Sequence, residues 1–368
     1  MLDGDVVVIG GGYAGVRLAK RLDATARVTL VDRKEVFFHR IAALRAGVRP
    51  DWSHSPFIPY DRLLRNGRVA VGKAVRIDTA ERHVTLATGE RLPYDVLVIA
   101  TGADYPEPAR FTGTTTEEAV KSLVAHQQHI ATAEHVLVVG GGPSGVELSA
   151  EIRLARPDAR VTLAHSGPEL LHATGSARAG RKARAWLESH GVDVWLDSFM
   201  SPGTDFDTYR DARGNVLEAD RSFWATGTTP NTLWLRLAGL GSWLTGTGHV
   251  KVDQALRVQG WLDVFAVGDV NDATEVKITP AALAQADLAA HNIRAYLNSA
   301  GKHRKEPRSY RAVHRTPLIV PFGPADGVTM LPVPGGETAV LGGRTTTLAK
   351  AKTLMTPYMR RQLGYTAA

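Results

Sequence analysis

Two glycine-rich turns carry the residues whose types and spacing point to chemistry. The first holds Gly10, Gly12 and Gly15 within Val6-Val7-Val8-Ile9-Gly10-Gly11-Gly12-Tyr13-Ala14-Gly15. A strand that ends in such a turn and opens a helix gives each glycine a task. Gly10 makes the tight turn, Gly12 lets the backbone approach a pyrophosphate, and Gly15 lets the helix pack closely on the strand. The helix start adds free N–H groups and a positive dipole end, both suited to phosphate. Asp32 closes the next β run, Arg27 to Val31, seventeen residues past Gly15, where a carboxylate accepts both ribose hydroxyls. The second turn, Gly140, Gly142 and Gly145, repeats the first at an offset of 130 and leads to Arg160-Val161-Thr162-Leu163-Ala164-His165. Each copy has a later Ala-Thr-Gly, Ala100-Thr101-Gly102 and Ala225-Thr226-Gly227. A duplicated turn, second strand and later strand is far more specific than either motif alone. It reads as two dinucleotide sites in one chain.

The second copy departs at one telling position. Where Asp32 stands in the first, His165 stands in the second, followed by Ser166. An acid there would bind a ribose 2′-hydroxyl and repel a 2′-phosphate; a histidine and a hydroxyl remove that repulsion and can donate to phosphate. NADPH is therefore expected to be accepted along with NADH. The competing reading is that His165 packs or faces solvent, and NADH binds weakly without an acid.

Around these turns the sequence predicts an α/β protein with two Rossmann-like dinucleotide-binding domains and a small C-terminal region. Residues 1–106 with 248–302 form a first, discontinuous domain, residues 107–247 a second, and residues 303–368 the remainder. A helix runs from Ala14 to about Leu22, and residues 33–45 are a loop passing into a short helix. Residues 50–59 read as ordered coil and residues 59–64 as a short helix. Three β segments, 67–77, 82–87 and 95–100, are expected as a meander. Helices follow near residues 117–130, 146–152, 178–190 and 280–297, the last opened by Thr279 as N-cap and Pro280. Strands are expected at 192–196 and at 261–269, ending in Gly268-Asp269.

Composition narrows the function classes. The 368 residues suffice for two or three domains with proper cores, and 44% hydrophobic with 22% charged residues is ordinary for a soluble globular protein. No apolar run approaches the ~20 residues of a membrane-spanning helix. The first strand starts too early for a secretory leader, and Leu2 excludes N-myristoylation, so a cytoplasmic location is expected. The net charge of +7 comes from 44 basic residues dispersed among 37 acids, with no basic stripe interleaved with aromatics. It suits phosphate-bearing cofactors or an anionic membrane better than nucleic acid. There are no cysteines, which excludes disulfides, thiolate metal sites and a redox-active dithiol. No Ser/His/Asp triad or metal-ligand cluster stands out.

Taken together, these residues resemble the two-dinucleotide-binding-domain flavoproteins of the pyridine nucleotide oxidoreductase type, over nearly the whole chain. Within that group the sequence is most similar to the apoptosis-inducing-factor-like NAD(P)H:quinone oxidoreductases, also called ferroptosis suppressor proteins. The likeness lies in Phe37 and His39, Ala42-Ala43-Leu44-Arg45-Ala46, Thr162-Leu163-Ala164-His165-Ser166, Lys277, His291-Asn292-Ile293 and Asp326-Gly327-Val328. The resemblance implies FAD on the first turn, held by Gly10, Gly12, Tyr13, Ala14, Gly15, Asp32, Arg33, Arg40, Val75, Ala100, Thr101, Gly102, Gly268, Asp269, Lys277 and Thr279. It implies NADPH or NADH on the second, held by Gly140, Gly142, Pro143, Ser144, Gly145, Glu147, His165, Ser166 and Gly227. It places Glu147 near the nicotinamide, a role weighed against that of an acid complementing a helix N-terminus. Lys277 and the start of the Pro280 helix would stabilise negative charge on the reduced flavin. His39 and Arg45 would line the acceptor side of the flavin.

The function this implies is an FAD-dependent NAD(P)H oxidoreductase that hands two electrons to a quinone-type acceptor, acting as a monomer or homodimer. Without cysteine, electrons must go directly from flavin to a diffusible acceptor. The alternatives are a ferredoxin or rubredoxin reductase, a flavin oxidase or monooxygenase of secondary metabolism, and a non-enzymatic NAD(P)H redox sensor. The basic stretch 350–361, with Leu348, Met355, Tyr358 and Met359, offers either a peripheral membrane patch or a cover for the flavin domain or a dimer interface. The membrane role known for the animal members lacks its lipid site here.

Overall fold

The computed structural model describes residues 4–203, 205, 207–299, 306–312 and 317–366. Leu2, on which the expectation of no myristoyl group rests, and the expected boundary at 302/303 lie outside these residues. The helices are α1 (Tyr13–Leu22), α2 (Arg40–Ala46), α3 (Thr116–Thr132), α4 (Pro143–Ala155), α5 (Ala177–Ser189), α6 (Leu233–Leu237), α7 (Thr279–Leu297), α8 (Gly343–Thr346) and α9 (Thr356–Gln362).

Strands that are apolar at successive positions have no face to offer water and must be covered on both sides. Asp5–Ile9 and Val96–Ile99 lie side by side in a five-stranded parallel sheet. Its order is Val264–Ala266, Val96–Ile99, Asp5–Ile9, Arg27–Asp32 and Arg68–Val71. Against one face α1 and α7 pack together through small side chains, among them Ala14, Ala282, Ala286 and Ala290. A second parallel sheet has the order Val192–Trp195, Arg160–Ala164, His135–Val139 and Arg221–Trp224. In both sheets the glycine turn leaves a strand that has the next strand of the chain on one side and a later one on the other. This is the topological switch point, where ligands of open α/β sheets bind.

Several local expectations change. The run 67–77 breaks at Gly72, whose N–H bonds the Asp32 carbonyl at 2.8 Å. Arg68–Val71 joins the parallel sheet, whereas Ala74–Asp78 pairs antiparallel with His83–Leu86 and Arg91–Pro93. The expected third meander strand, Val96–Ile99, is fully buried and lies instead in the parallel sheet. Residues 50–59 hold a 3₁₀ turn, Pro50–Trp52, and a strand, Phe57–Pro59, that pairs with Val36–Phe38. An aromatic cluster of Phe38, Phe57 and Phe111 fastens this pair. Residues 60–64 are turn, not helix. Helix α7 begins one residue early: Ile278 is its N-cap, Thr279 its first residue, and no side chain caps it. Helix α3 instead carries a full capping box between Thr115 and Glu118.

The C-terminal part contains an antiparallel sheet, Leu318–Pro321, Gly327–Pro332 and Thr338–Leu341. Helix α8, a π turn at Thr347–Ala351 and α9 follow. Of the four apolar residues proposed for a membrane patch, Leu348 alone is exposed; Met359 is buried and Tyr358 packs on the core between the five-stranded sheet and α1 and α7. Among the described residues no helix is long and apolar enough to cross a membrane.

Candidate functional site

The two glycine turns are built alike. Gly10 N–H bonds the Val31 carbonyl at 2.7 Å and Gly140 N–H bonds that of Ala164 at 2.7 Å. Both first glycines have positive φ, +112° and +116°, and a Cβ on either would strike the backbone of Ala100 or Ala225. A Cβ on Gly15 or Gly145 would collide with the carbonyl oxygen of Gly10 or Gly140. The middle glycines differ in kind: a Cβ on Gly12 or Gly142 meets nothing within 4 Å. Each therefore opens a cradle, at the start of α1 and of α4, that a side chain would fill. The Ala-Thr-Gly repeats sit under the turns. Thr101 Oγ1 donates to the Asn231 carbonyl at 2.9 Å and Asn231 Nδ2 donates to that of Thr101 at 3.2 Å, stitching the two exits together. Thr226 and Gly227 are exposed beside the second turn.

The strand ends beside the turns also correspond. Asp32 is buried, and its carboxylate accepts from Gly11 N–H at 2.6 Å, Tyr60 hydroxyl at 3.0 Å, Lys34 N–H at 2.9 Å and Lys34 Nζ at 2.7 Å. His165 Nδ1 takes the same task in the second copy, accepting from Gly141 N–H at 3.2 Å. That bond needs an unprotonated Nδ1, and burial lowers the imidazole's pKa in keeping with it. Ser166 beside it is exposed.

Close to the first turn Gly268, with φ +81°, wedges between α1 and α7, where a Cβ would come within 3.1 Å of Ala14 Cβ. Asp269 accepts from the Tyr105 hydroxyl at 2.6 Å, and the Arg40 guanidinium lies 4.3 Å over the Tyr105 ring. Lys277 Nζ donates to the carbonyls of Asn271 at 2.8 Å and Ala273 at 3.0 Å. Partial burial lowers its pKa, against the pull of Asp269, Glu275 and Asp272. His39 is fully buried: Nδ1 meets the Tyr13 hydroxyl at 2.9 Å and Nε2 meets the Leu354 carbonyl at 2.8 Å. With both nitrogens taken, the ring serves the fold rather than an open acceptor face. Arg33 lies against Phe111, and Val75 is part-exposed in the strand Ala74–Asp78.

Helix α4 presents two acids one turn apart. Glu147 accepts from Lys350 Nζ at 2.7 Å, and Glu151 pairs with Arg45 of α2 at 2.7 Å, all four largely buried. Burial raises the Glu147 pKa while Lys350 opposes the rise. Arg45 also lies 4.7 Å over the Trp52 ring.

A family model, "Pyridine nucleotide-disulphide oxidoreductase", matches residues 4–286. The chain belongs to the pyridine nucleotide-disulphide oxidoreductase family. Among similar proteins, apoptosis-inducing factor homolog B of Dictyostelium discoideum is 31% identical, covering 95% of this chain and 94% of that one. Ferroptosis suppressor protein 1 of Xenopus tropicalis is 30% identical over 98% and 96%. The FAD-dependent oxidoreductase FVFD30 of Flammulina velutipes is 31% identical over 83% and 95%. The crystal structure of the sulfide:quinone oxidoreductase from Aquifex aeolicus shares the fold, with TM-score 0.78 and 20% identity, covering 98% of this chain and 91% of that one.

As a pyridine nucleotide-disulphide oxidoreductase the chain is an FAD-dependent oxidoreductase that uses NAD(P)H. Its residues fit both cofactors, since each open glycine cradle lies at a helix N-terminus beside an acceptor at the next strand end. The chain departs from the family's name in one respect: with no cysteine it has no redox disulphide. Tyr60, Tyr105 and Asn231 escaped the sequence reading, and Lys350 entered it only as part of the basic stretch. Lone tyrosines, an asparagine and a lysine far along the chain carry no spacing signal, and only the fold brings them to the turns.

Proposed function

We propose that the protein oxidises NAD(P)H through FAD and delivers two electrons directly to a quinone-type acceptor. The FAD is assigned to the first turn, with Gly12, Asp32, Gly268, Asp269 and Lys277 around it, and NAD(P)H to the second, with Gly142, Glu147 and His165. The discontinuous first domain and the inserted second domain are assigned accordingly. Bound FAD supplies a two-electron carrier that accepts hydride at one time and yields electrons at another. The chain's own work is positional: it holds both cofactors in reach of one another and controls protons.

The observation that carries the acceptor reading is the buried Glu147–Lys350 pair, two residues past Gly145. A quinone that gains two electrons also takes up two protons; one arrives with the hydride and the other must come from solvent or a protein group. Lys350 Nζ, donating to the Glu147 carboxylate at 2.7 Å, places a proton donor next to the second turn. The lack of cysteine supports direct delivery. Anaerobic stopped-flow absorbance tests the reading. The protein is mixed with NADPH or NADH and then with a short-chain ubiquinone or menaquinone analogue. Fast bleaching followed by fast reoxidation by quinone is expected. Slow reoxidation by quinone with fast reoxidation by oxygen would overturn the quinone assignment in favour of an oxidase or monooxygenase.

A further inference from the structure

Behind the Gly268–Asp269 loop lies a hydrogen-bonded chain that the reaction as described does not use. Gln285 of α7 is 1% exposed. Its Oε1 accepts from Gly268 N–H at 2.7 Å and from Asn271 Nδ2 at 2.7 Å. Its Nε2 donates to Glu275 Oε1 at 2.6 Å. Glu275 in turn accepts from the Tyr310 hydroxyl, 2.8 Å from each carboxylate oxygen. Asn271, fully buried, also donates to the Ala266 carbonyl at 2.9 Å, and its own carbonyl receives Lys277 Nζ. The chain thus runs from Tyr310, far along the sequence, through Glu275 and Gln285 to the loop that carries Gly268, Asp269 and the Lys277 anchor. The segment holding Tyr310 is fixed separately: Tyr310 N–H bonds the Gln254 carbonyl at 2.6 Å, and Asn292 clamps both main-chain groups of Arg308 at 2.9 Å.

We propose that Gln285 is the positioning residue of the flavin-facing loop, and that Glu275 and Tyr310 set its orientation, so that segment 306–312 is coupled to FAD binding. This rests on the assignment of FAD to the first site. The carboxamide is required for its two unlike ends. One end must accept from the loop, and the other must donate to the Glu275 carboxyl group, which also receives Tyr310. A carboxylate at 285 would keep the loop bonds but face Glu275 with like charge. A carboxamide at 275 would then restore the chain in reverse, donating to position 285 while still accepting from Tyr310.

The test compares wild type, Q285E, E275Q/Q285E and Y310F, each titrated with FAD after flavin removal and followed by flavin fluorescence. The visible spectrum and midpoint potential of the bound flavin are recorded alongside, with circular dichroism as a check on the fold. Q285E is expected to bind FAD at least about tenfold more weakly, the scale of leaving a buried polar partner unsatisfied. Y310F is expected to lose about threefold to tenfold through one removed hydroxyl. The double variant should return to within about threefold of wild type, with the wild-type spectrum and potential, as the bonds are remade. Wild-type affinity in both Q285E and Y310F would overturn the proposal. So would a double variant no better than Q285E, which would reduce Gln285 to packing. Wild-type protein that takes up no FAD would overturn the FAD assignment itself, and this proposal with it.

Discussion

Gly12 and Gly15 lie three residues apart in one turn, yet a methyl group meets opposite surroundings at each. At Gly15 it collides with the Gly10 carbonyl, so G15A strains the junction of strand and helix whatever is bound. We expect a loss of about 1–3 kcal/mol, the usual cost of overpacking, read as a lowered midpoint in urea with FAD removed. At Gly12 no protein atom lies within 4 Å, so G12A should keep its flavin-free stability within about 0.5 kcal/mol. On the proposed assignment of FAD to the first turn it should nonetheless lose FAD, because the methyl group fills the open cradle. G142A is the counterpart: flavin should be retained and NAD(P)H binding lost. Equal destabilisation by G12A and G15A would refute the cradle argument. His165 accepts from Gly141 N–H as Asp32 does from Gly11 N–H, so H165D should preserve the turn while adding a charge that opposes a 2′-phosphate. NADPH affinity should fall at least about tenfold relative to NADH. An unchanged ratio in direct binding measurements would mean that position 165 does not face the ribose.

Among the elements, the C-terminal stretch shows best what a sequence conceals. The glycine turns, α1, α4 and the strands beside them were legible because each repeats a local pattern at fixed spacing. The stretch 347–365 has no such pattern; it is held by contacts with residues some three hundred positions earlier. Lys20 Nζ reaches the carbonyls of Arg361 and Gln362, Tyr365 bonds Asp61, and His39 Nε2 bonds the Leu354 carbonyl. Leu354 and Met355 both hold positive φ, +48° and +62°, a conformation that costs non-glycine residues energy and persists only when neighbours fix it. Sequence patterning therefore leaves a membrane patch and a cover for the flavin domain or a dimer interface both open for this stretch, whereas Met359 is buried and Tyr358 packs, partly buried, against the core. The His39 tie predicts a pH dependence. The neutral tautomer with hydrogen on Nε2 accepts from Tyr13 and donates to Leu354, and burial pushes the pKa down from 6.5 to about 4. Above pH 6.5 neither folded nor unfolded chain is protonated there, and this contribution is complete. As pH falls from 6.5 towards 4 the unfolded chain takes up a proton that the folded chain refuses, so stability is lost, by up to about 3 kcal/mol. Urea midpoints at pH 7 and pH 4.5 should differ by less in H39Q, whose amide still reaches a carbonyl but does not titrate. An equal pH effect in both proteins would place the titration elsewhere.

For the whole molecule, what matters is how the second sheet is held against the first, since hydride transfer needs the two turns in a fixed relation. Helix α4 is the meeting point. Glu147 ties it to the C-terminal stretch through Lys350, and Glu151 ties it to α2 through Arg45, with exposures of 4% and 1% for the Glu151 and Arg45 side chains. Burying two charges is costly, and here only Glu151 Oε1 is engaged; Oε2 has no hydrogen-bond partner among the described residues. An ion pair so incompletely satisfied is a poor source of net stability but a strong constraint, because neither partner tolerates loss of the other. R45A should therefore cost about 3–5 kcal/mol, whereas R45M/E151L, which fills the same space without charge, should come close to wild type or exceed it. Denaturant unfolding with saturating FAD measures both. If the pair fixes the relation of the two turns, the stable double variant should still show slower flavin reduction by NADPH at saturation, because an apolar contact has no preferred direction and an Arg–carboxylate pair does. A double variant that is both stable and as fast as wild type would show that packing alone, through Leu44, Val48, Val146 and Leu148 in the core beside the second sheet, sets the geometry of transfer.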